Sequence, residues 1–136
     1  MEARRPAFHA LGVPVRVLIV DDHAGFRAAA RDLLTLRGYT VVGEAASRVE
    51  ALAAAVRLRP DAVLLEVRLG EDSGFDVARA LKQARLGAAV LLVSESDYTH
   101  CHDLLRLAGA RGFIPKSQLA RADLAAFWPD APPDAG

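Results

Sequence analysis

Five polar side chains of this 136-residue chain stand at the ends of short apolar runs. Asp21 and Asp22 follow Val15-Arg16-Val17-Leu18-Ile19-Val20, and Glu66 follows Ala62 to Leu65. Ser94 follows Ala88 to Val93, and Lys116 comes just after Gly112-Phe113-Ile114. A lone acid after a strand is more often a helix cap or a solvated loop residue. Polar groups at four such ends argue for a joint site. Three acids, a hydroxyl and an ammonium along one edge suit a hard divalent cation and a phosphoryl group. The residues alone leave Glu66 three readings: a catalytic or phosphate-accepting group, a metal ligand, or a fixed negative charge.

These groups meet only if the runs are parallel strands of one sheet. The runs are short and unbroken rather than alternating, as expected for strands buried on both faces. A further run is Val41-Val42, after Gly38. Between the runs lie amphipathic helix patterns. Residues Gly25 to Leu36 set Phe26, Ala30, Leu33 and Leu34 on one side. Ser47-Arg48-Val49-Glu50 is a capping-box sequence, and Val49, Leu52, Ala53 and Val56 fall on one face before Pro60 ends the segment. Ser73 is placed to cap a third helix carrying Val77, Leu81 and Ala84. A fourth carries Cys101, Leu104, Leu105 and Ala108 and stops at Gly109, and a fifth is expected from about Gln118 to Phe127. Five strands alternating with five helices, joined by right-handed crossovers, give a doubly wound α/β sandwich. In such a sheet ligands bind outside the carboxyl ends of the strands, where the five polar groups lie.

The bulk numbers agree with one domain. Hydrophobic residues make up 52% and charged residues 25%, an ordinary globular balance. Seventeen basic residues balance seventeen acidic ones, which argues against a nucleic-acid binder held mainly by counterion release. With Cys101 as the single cysteine, no intrachain disulfide can form and a cysteine-ligated zinc site lacks sulfur. The N-terminal MEARRPAFHALG is a poor signal peptide and no apolar run is long enough for a membrane span. A soluble, cytoplasmic protein without membrane partners is expected. Residues 1–13 are expected to be a flexible extension, 14–127 the domain, and 128–136 a flexible tail or the start of a linker.

VRVLIVDDH, PDAVLLEVRLGEDSG, VLLVSESD and GARGFIPKS, in that order and spacing, resemble the receiver domains of two-component response regulators. The likeness covers residues 14 to 127 and is greatest to receivers that precede helix-turn-helix output domains, in the nitrate-response and nodulation-regulator class. It implies a flavodoxin-like (βα)5 fold with strand order 2-1-3-4-5. It also implies that Asp21 and Asp22 stand where the family binds magnesium, and Glu66 where it phosphorylates an aspartate. Ser94 and Lys116 take the positions that contact the phosphoryl group, and Phe113 that of the switch aromatic.

Two residues depart from that pattern. Glu66 carries one methylene more than aspartate, pushing its carboxylate out by roughly 1.5 Å. Misplacement by an ångström can cost about a hundredfold in rate, and the longer arm can reach Lys116 or Ser94 directly. Glu95 follows Ser94 where the family has a small residue, and its charge repels an incoming phosphate. The expectation is an atypical receiver, not an enzyme, that regulates an output domain or protein partner by contact without aspartate phosphorylation. The fourth helix, fifth strand and fifth helix would form its face, in a homodimer or with a partner. The two departures argue against a sensor histidine kinase as partner. No cofactor is required; magnesium, if held by Asp21, Asp22 and Glu66, is held weakly, since Lys116 is expected to pair with Glu66 or Asp22. The alternatives are a phosphorylatable, magnesium-dependent switch and, more remotely, a phosphatase-like enzyme with Asp21 as nucleophile, for which His23 stands where a second aspartate is wanted. His23 is otherwise a packing or capping residue at the pocket's border. His100-Cys101-His102 reads as surface, core, surface rather than a metal site.

Overall fold

The computed structural model describes residues 12–128. The expected extension and tail, apart from Gly12, Val13 and Trp128, lie outside the described residues. The element order is β1 (Arg16–Val20), α1 (Ala24–Leu36), β2 (Thr40–Ala45), α2 (Arg48–Leu58), β3 (Ala62–Glu66), β4 (Arg68–Leu69), β5 (Asp72–Ser73), α3 (Gly74–Gln83), β6 (Ala89–Ser94), α4 (His102–Ala108) and β7 (Gly112–Pro115). Two 3-10 turns follow, Lys116–Arg121 and Leu124–Ala126.

Five strands form one parallel sheet in the order β2-β1-β3-β6-β7. With the small antiparallel β4–β5 hairpin set aside, this is the expected 2-1-3-4-5 arrangement. Every residue of β3 and β6 is buried, because helices cover both faces. One core layer joins Leu18, Val63, Leu65 and Leu92 to α2, α3 and α4. The other joins Val17, Ile19, Leu64 and Leu91 to α1 and the C-terminal turns. Each fully buried leucine contributes about 1.5–3 kcal/mol relative to exposure. The register sets Glu66 beside Val93 and Ser94 beside Pro115, so the strand ends line up along one edge.

Helix α2 begins as expected: the Ser47 hydroxyl accepts the Glu50 N–H, and the Glu50 carboxylate accepts the Ala46 N–H. Its buried face is different, however. Ala51, Ala54 and Ala55 pack inward, while Val49 and Val56 are 77% and 59% exposed. An alanine face lets the helix lie close on β2, where Leu58 covers Gly43 so tightly that a Cβ there would sit 2.7 Å from Leu58 Cδ1. The fourth helix also departs in part. Leu105 and Ala108 pack inward and Gly109 ends the helix in a left-handed conformation, but Leu104 is exposed and Cys101 is the residue before the first turn.

The expected fifth helix is two 3-10 turns instead. Ala122 between them is extended, and the Arg37 guanidinium takes the Ala120 and Ala122 carbonyls as acceptors. Those carbonyls serve the end of α1 rather than a continuing helix. Trp128, expected to open the tail, is instead buried in the second core layer, edge-on to Tyr39 at 5.3 Å. Its large apolar surface is the reason it packs inward. No helix among the described residues is long and apolar enough to cross a membrane.

Candidate functional site

The acid pair is fixed by the end of β1. The Asp21 N–H donates to the Ala45 carbonyl at 3.0 Å, and the Asp21 carbonyl accepts Arg27 Nη1 at 2.6 Å. Arg27 is in turn held by Glu44, which also pairs with Arg31. The Arg31 contact, together with Arg27, keeps the Glu44 carboxyl below its ordinary range in spite of partial burial. Asp21 is fully buried, and its Oδ1 accepts the His23 N–H at 2.8 Å. Asp22 is partly exposed and accepts the Gly70 N–H at 3.1 Å, which ties the first strand end to the loop of the β4–β5 hairpin. Gly70 has φ +58°, a conformation that glycine takes at little cost.

Glu66 is buried at the end of β3. Its Oε2 accepts the Arg68 N–H at 3.0 Å, and its Oε1 lies 2.7 Å from Lys116 Nζ. The same ammonium lies 2.7 Å from Asp21 Oδ2 and 4.1 Å over the Phe26 ring. Lys116 thus joins the ends of β1 and β3 from the far side of the sheet. Burial alone would lower its pKa, but the contacts and charges of Asp21 and Glu66 outweigh it and hold it above the usual 10.5. Gly74, at the start of α3, has no room for a side chain: a Cβ there would meet the Glu66 carbonyl oxygen at 2.2 Å. That close approach carries the chain from β3 through the hairpin into α3.

The other expected site residues take different places. Ser94 is buried and accepts the Ser96 N–H at 3.2 Å; among the described residues it makes no bond to Glu66. Glu95 is exposed at the rim and makes no ion pair among the described residues. Phe113 is buried, with Tyr98 edge-on at 5.7 Å, and Tyr98 is in turn edge-on to Phe75 at 5.7 Å. His100 and His102 are exposed and Cys101 is half-buried.

Sequence reasoning did not find the parts played by Arg27, Phe26 and Tyr98. Phe26 and Arg27 lie on the first turn of a helix entered from Asp21-Asp22, and the apolar side that carries Phe26 does not reveal that its ring lies under Lys116. Tyr98 sits in a loop without periodicity. His23 borders the pocket, its Nδ1 3.2 Å from both Asp21 Oδ1 and Asp22 Oδ1.

Asp21, Asp22 and His23 bring one ligand atom each within 4.8 Å of one another. The two carboxylates suit a hard cation such as magnesium, which needs only one or two of them plus water. Glu66, the third expected ligand, is not part of that group. Asp21 and Asp22 are the residues that would carry a cation here.

Residues 17–126 match the response regulator receiver domain family. The chain is 36% identical over 104 residues to the nitrate/nitrite response regulator protein NarP of Escherichia coli, covering 76% of this chain and 48% of that protein. It is 34% identical over 101 residues to chemotaxis protein CheY of Thermotoga maritima, covering 74% and 84%. The signal receiver domain of NarL from Mycobacterium tuberculosis superposes with a TM-score of 0.75 at 34% identity, covering 82% of this chain and 91% of that one. The chain spans about half the length of NarP and of several other curated relatives that it matches. The likeness extends over both layers of the sandwich and the strand ends that gather Asp21, Asp22, Glu66 and Lys116, so the chain belongs to the response regulator receiver domain family.

Proposed function

We propose that this receiver is atypical: its conformation is set by a built-in ion bridge rather than by phosphorylation of an aspartate. The observation that carries this reading is the position of Lys116 Nζ, 2.7 Å from both Glu66 Oε1 and Asp21 Oδ2. Both Glu66 oxygens are engaged, one by the ammonium and one by the Arg68 N–H. Those two contacts fix the direction of a side chain one methylene longer than aspartate, and a misplacement of an ångström can cost an attacking group about a hundredfold in rate. Glu95 at the rim adds like charge against an incoming phosphate.

In this reading Glu66 supplies permanently the negative charge that a phosphoryl group would bring to Lys116. Magnesium, where bound, would neutralise Asp21 and Asp22, and no step depends on it. The module acts in the cytoplasm by protein contact, on an output domain or a separate partner. The face of α4, β7 and the C-terminal turns serves that contact, as a homodimer or with a partner, and the chain itself neither binds nucleic acid nor catalyses a reaction. The half-length match to transcriptional regulators supports an output domain as the partner.

The test is the amide NMR spectrum of the protein with and without acetyl phosphate and magnesium, beside that of Glu66→Gln. The wild-type spectrum should stay unchanged by acetyl phosphate, apart from local shifts near Asp22 on adding magnesium. Glu66→Gln should move the resonances of β7 and the β6–α4 loop. A wild-type spectrum that shifts throughout β7 on phosphodonor addition would support the alternative, a phosphorylatable switch.

A further inference from the structure

Helix α2 turns an apolar stripe to solvent. Val49, Ala53 and Val56 are exposed and Leu52 is half-buried, reaching the core only in part. At helical spacing these four fall on the side opposite Ala51, Ala54 and Ala55, which already pack the helix onto the sheet. Among the described residues only Leu36 is a more exposed large hydrophobic than Val49. A second apolar face on a helix whose first is satisfied marks an interaction surface.

The stripe is complementary to itself. Read from either end it is spaced alike: Val49 and Leu52 are three positions apart, as are Ala53 and Val56. Against an antiparallel second copy, Val49 meets the partner's Val56, and Leu52 enters the space over the partner's Ala53, large against small. A parallel copy would set Leu52 on Leu52 and leave a gap between the two alanines. The charges agree with the antiparallel fit. Glu50 and Arg57 are exposed and stand two helical turns apart on one flank of the stripe. Neither makes an ion pair among the described residues. Reversing the helix brings each Glu50 within a turn of the partner's Arg57, at both ends of the contact.

We propose that α2 is a second interaction surface, on which two copies of this chain associate through a two-fold contact of antiparallel α2 helices. Helix α3 lies between α2 and α4 and packs against both, so this surface is separate from the face of α4 and β7. The inference does not rest on how Glu66 behaves. The helix has 11 residues and is about 16 Å long. Its contact is therefore smaller than the roughly 800 Å² per partner of a standard interface, and the dimer is weak and concentration-dependent.

Sedimentation velocity of the full chain tests it. The wild type should be in monomer–dimer equilibrium with a Kd below about 1 mM, as suits a small interface. Ala53→Asp sets two unpaired carboxylates at the two-fold axis and should leave only monomer up to that concentration. Glu50→Lys and Arg57→Glu each place like charges along the flank, and each should weaken self-association by about tenfold. Mixed together, these two variants regain opposite charges at both ends, and the mixture should dimerise about as well as the wild type. Melting followed by circular dichroism shows that the variants are folded, as expected for exposed positions. The mixing experiment still decides where loss of the Glu50 cap lowers the melting temperature. The proposal is overturned by a wild type that stays monomeric throughout or by a mixture that associates no better than its components. A dimer that Ala53→Asp leaves intact would also overturn it and would place the contact on another face.

Discussion

Lys116 Nζ and Glu66 Oε1 lie 2.7 Å apart although 50 residues separate them in the chain, and both side chains are almost wholly buried. The contact exists because β3 and β7 flank β6, with their carboxyl ends at the same edge. Asp21 completes the bridge from β1. A buried cation between two acids is costly to assemble and more costly to break, because removing one member leaves charge without a partner.

Lys116→Met should therefore destabilise the fold by about 3 kcal/mol, the lower end of the range for breaking a buried ion pair. Urea unfolding followed by circular dichroism measures it. Pairing Lys116→Met with Glu66→Gln should recover part of that loss. A double variant destabilised by the full sum of the two single effects would contradict the coupling.

The bridge also has a pH signature. The folded Lys116 pKa is raised above 10.5, so its contribution to stability is complete below that value and is lost as pH rises through the higher folded value. Unfolding free energy should fall in the alkaline range above 10.5 by more in the wild type than in Lys116→Met. Equal losses in the two proteins would place the alkaline sensitivity elsewhere.

Gly74 is confined by the Glu66 carbonyl oxygen, 2.2 Å from a Cβ placed there. Gly74→Ala should cost about 1–3 kcal/mol, the usual range for overpacking. Because the clash bears on the backbone that carries Glu66, the variant should also disturb the Lys116 side-chain resonances. Gly25→Ala, in open space on α1, should do neither.

Trp128 packs edge-on against Tyr39 and closes the second core layer. Trp128→Ala should destabilise the protein by about 3 kcal/mol, as for other large-to-small core changes. Thermal unfolding checks it; a change within the scatter of surface substitutions would contradict the packing described.

Tyr98 lies between Phe75 and Phe113 in an edge-to-face series of three rings. Tyr98→Ala should cost about 1–2 kcal/mol, combining lost ring pairs with the burial of a half-exposed side chain. It should also broaden the Phe113 ring signals. Tyr98→Phe, which keeps the ring, should leave both nearly unchanged.

What was legible in the sequence follows from which forces act locally. The five strands and the polar residues ending four of them were readable, because a strand buried on both faces must be continuously apolar and must stop at the edge where water returns. The Ser47–Glu50 cap of α2 was readable for the same kind of reason, being a bond between near neighbours. The buried face of α2 was not. Val49 and Val56 looked like core residues by hydrophobicity, but Gly43 and Leu58 set how closely the helix approaches β2, and only the alanines fit there. The fifth helix failed similarly: its pattern was helical, yet Arg37, more than eighty residues away, takes its carbonyls. At the site, the sequence expects Lys116 to pair with Glu66 or Asp22, and the structure gives Glu66. The sharing of that ammonium with Asp21, the ring of Phe26 beneath it and the Tyr98 contact depend on side-chain directions that spacing does not reveal.

Intact-mass analysis after incubation with acetyl phosphate and magnesium tests the central claim most directly. Wild type, Glu66→Asp, and Glu66→Asp with Glu95→Ala should be compared. The account predicts no phosphoryl adduct on the wild type and an adduct on at least one variant, where the shorter arm leaves Lys116 and the rim charge is removed. A phosphoryl adduct on the wild-type chain would contradict it and restore a phosphorylatable switch.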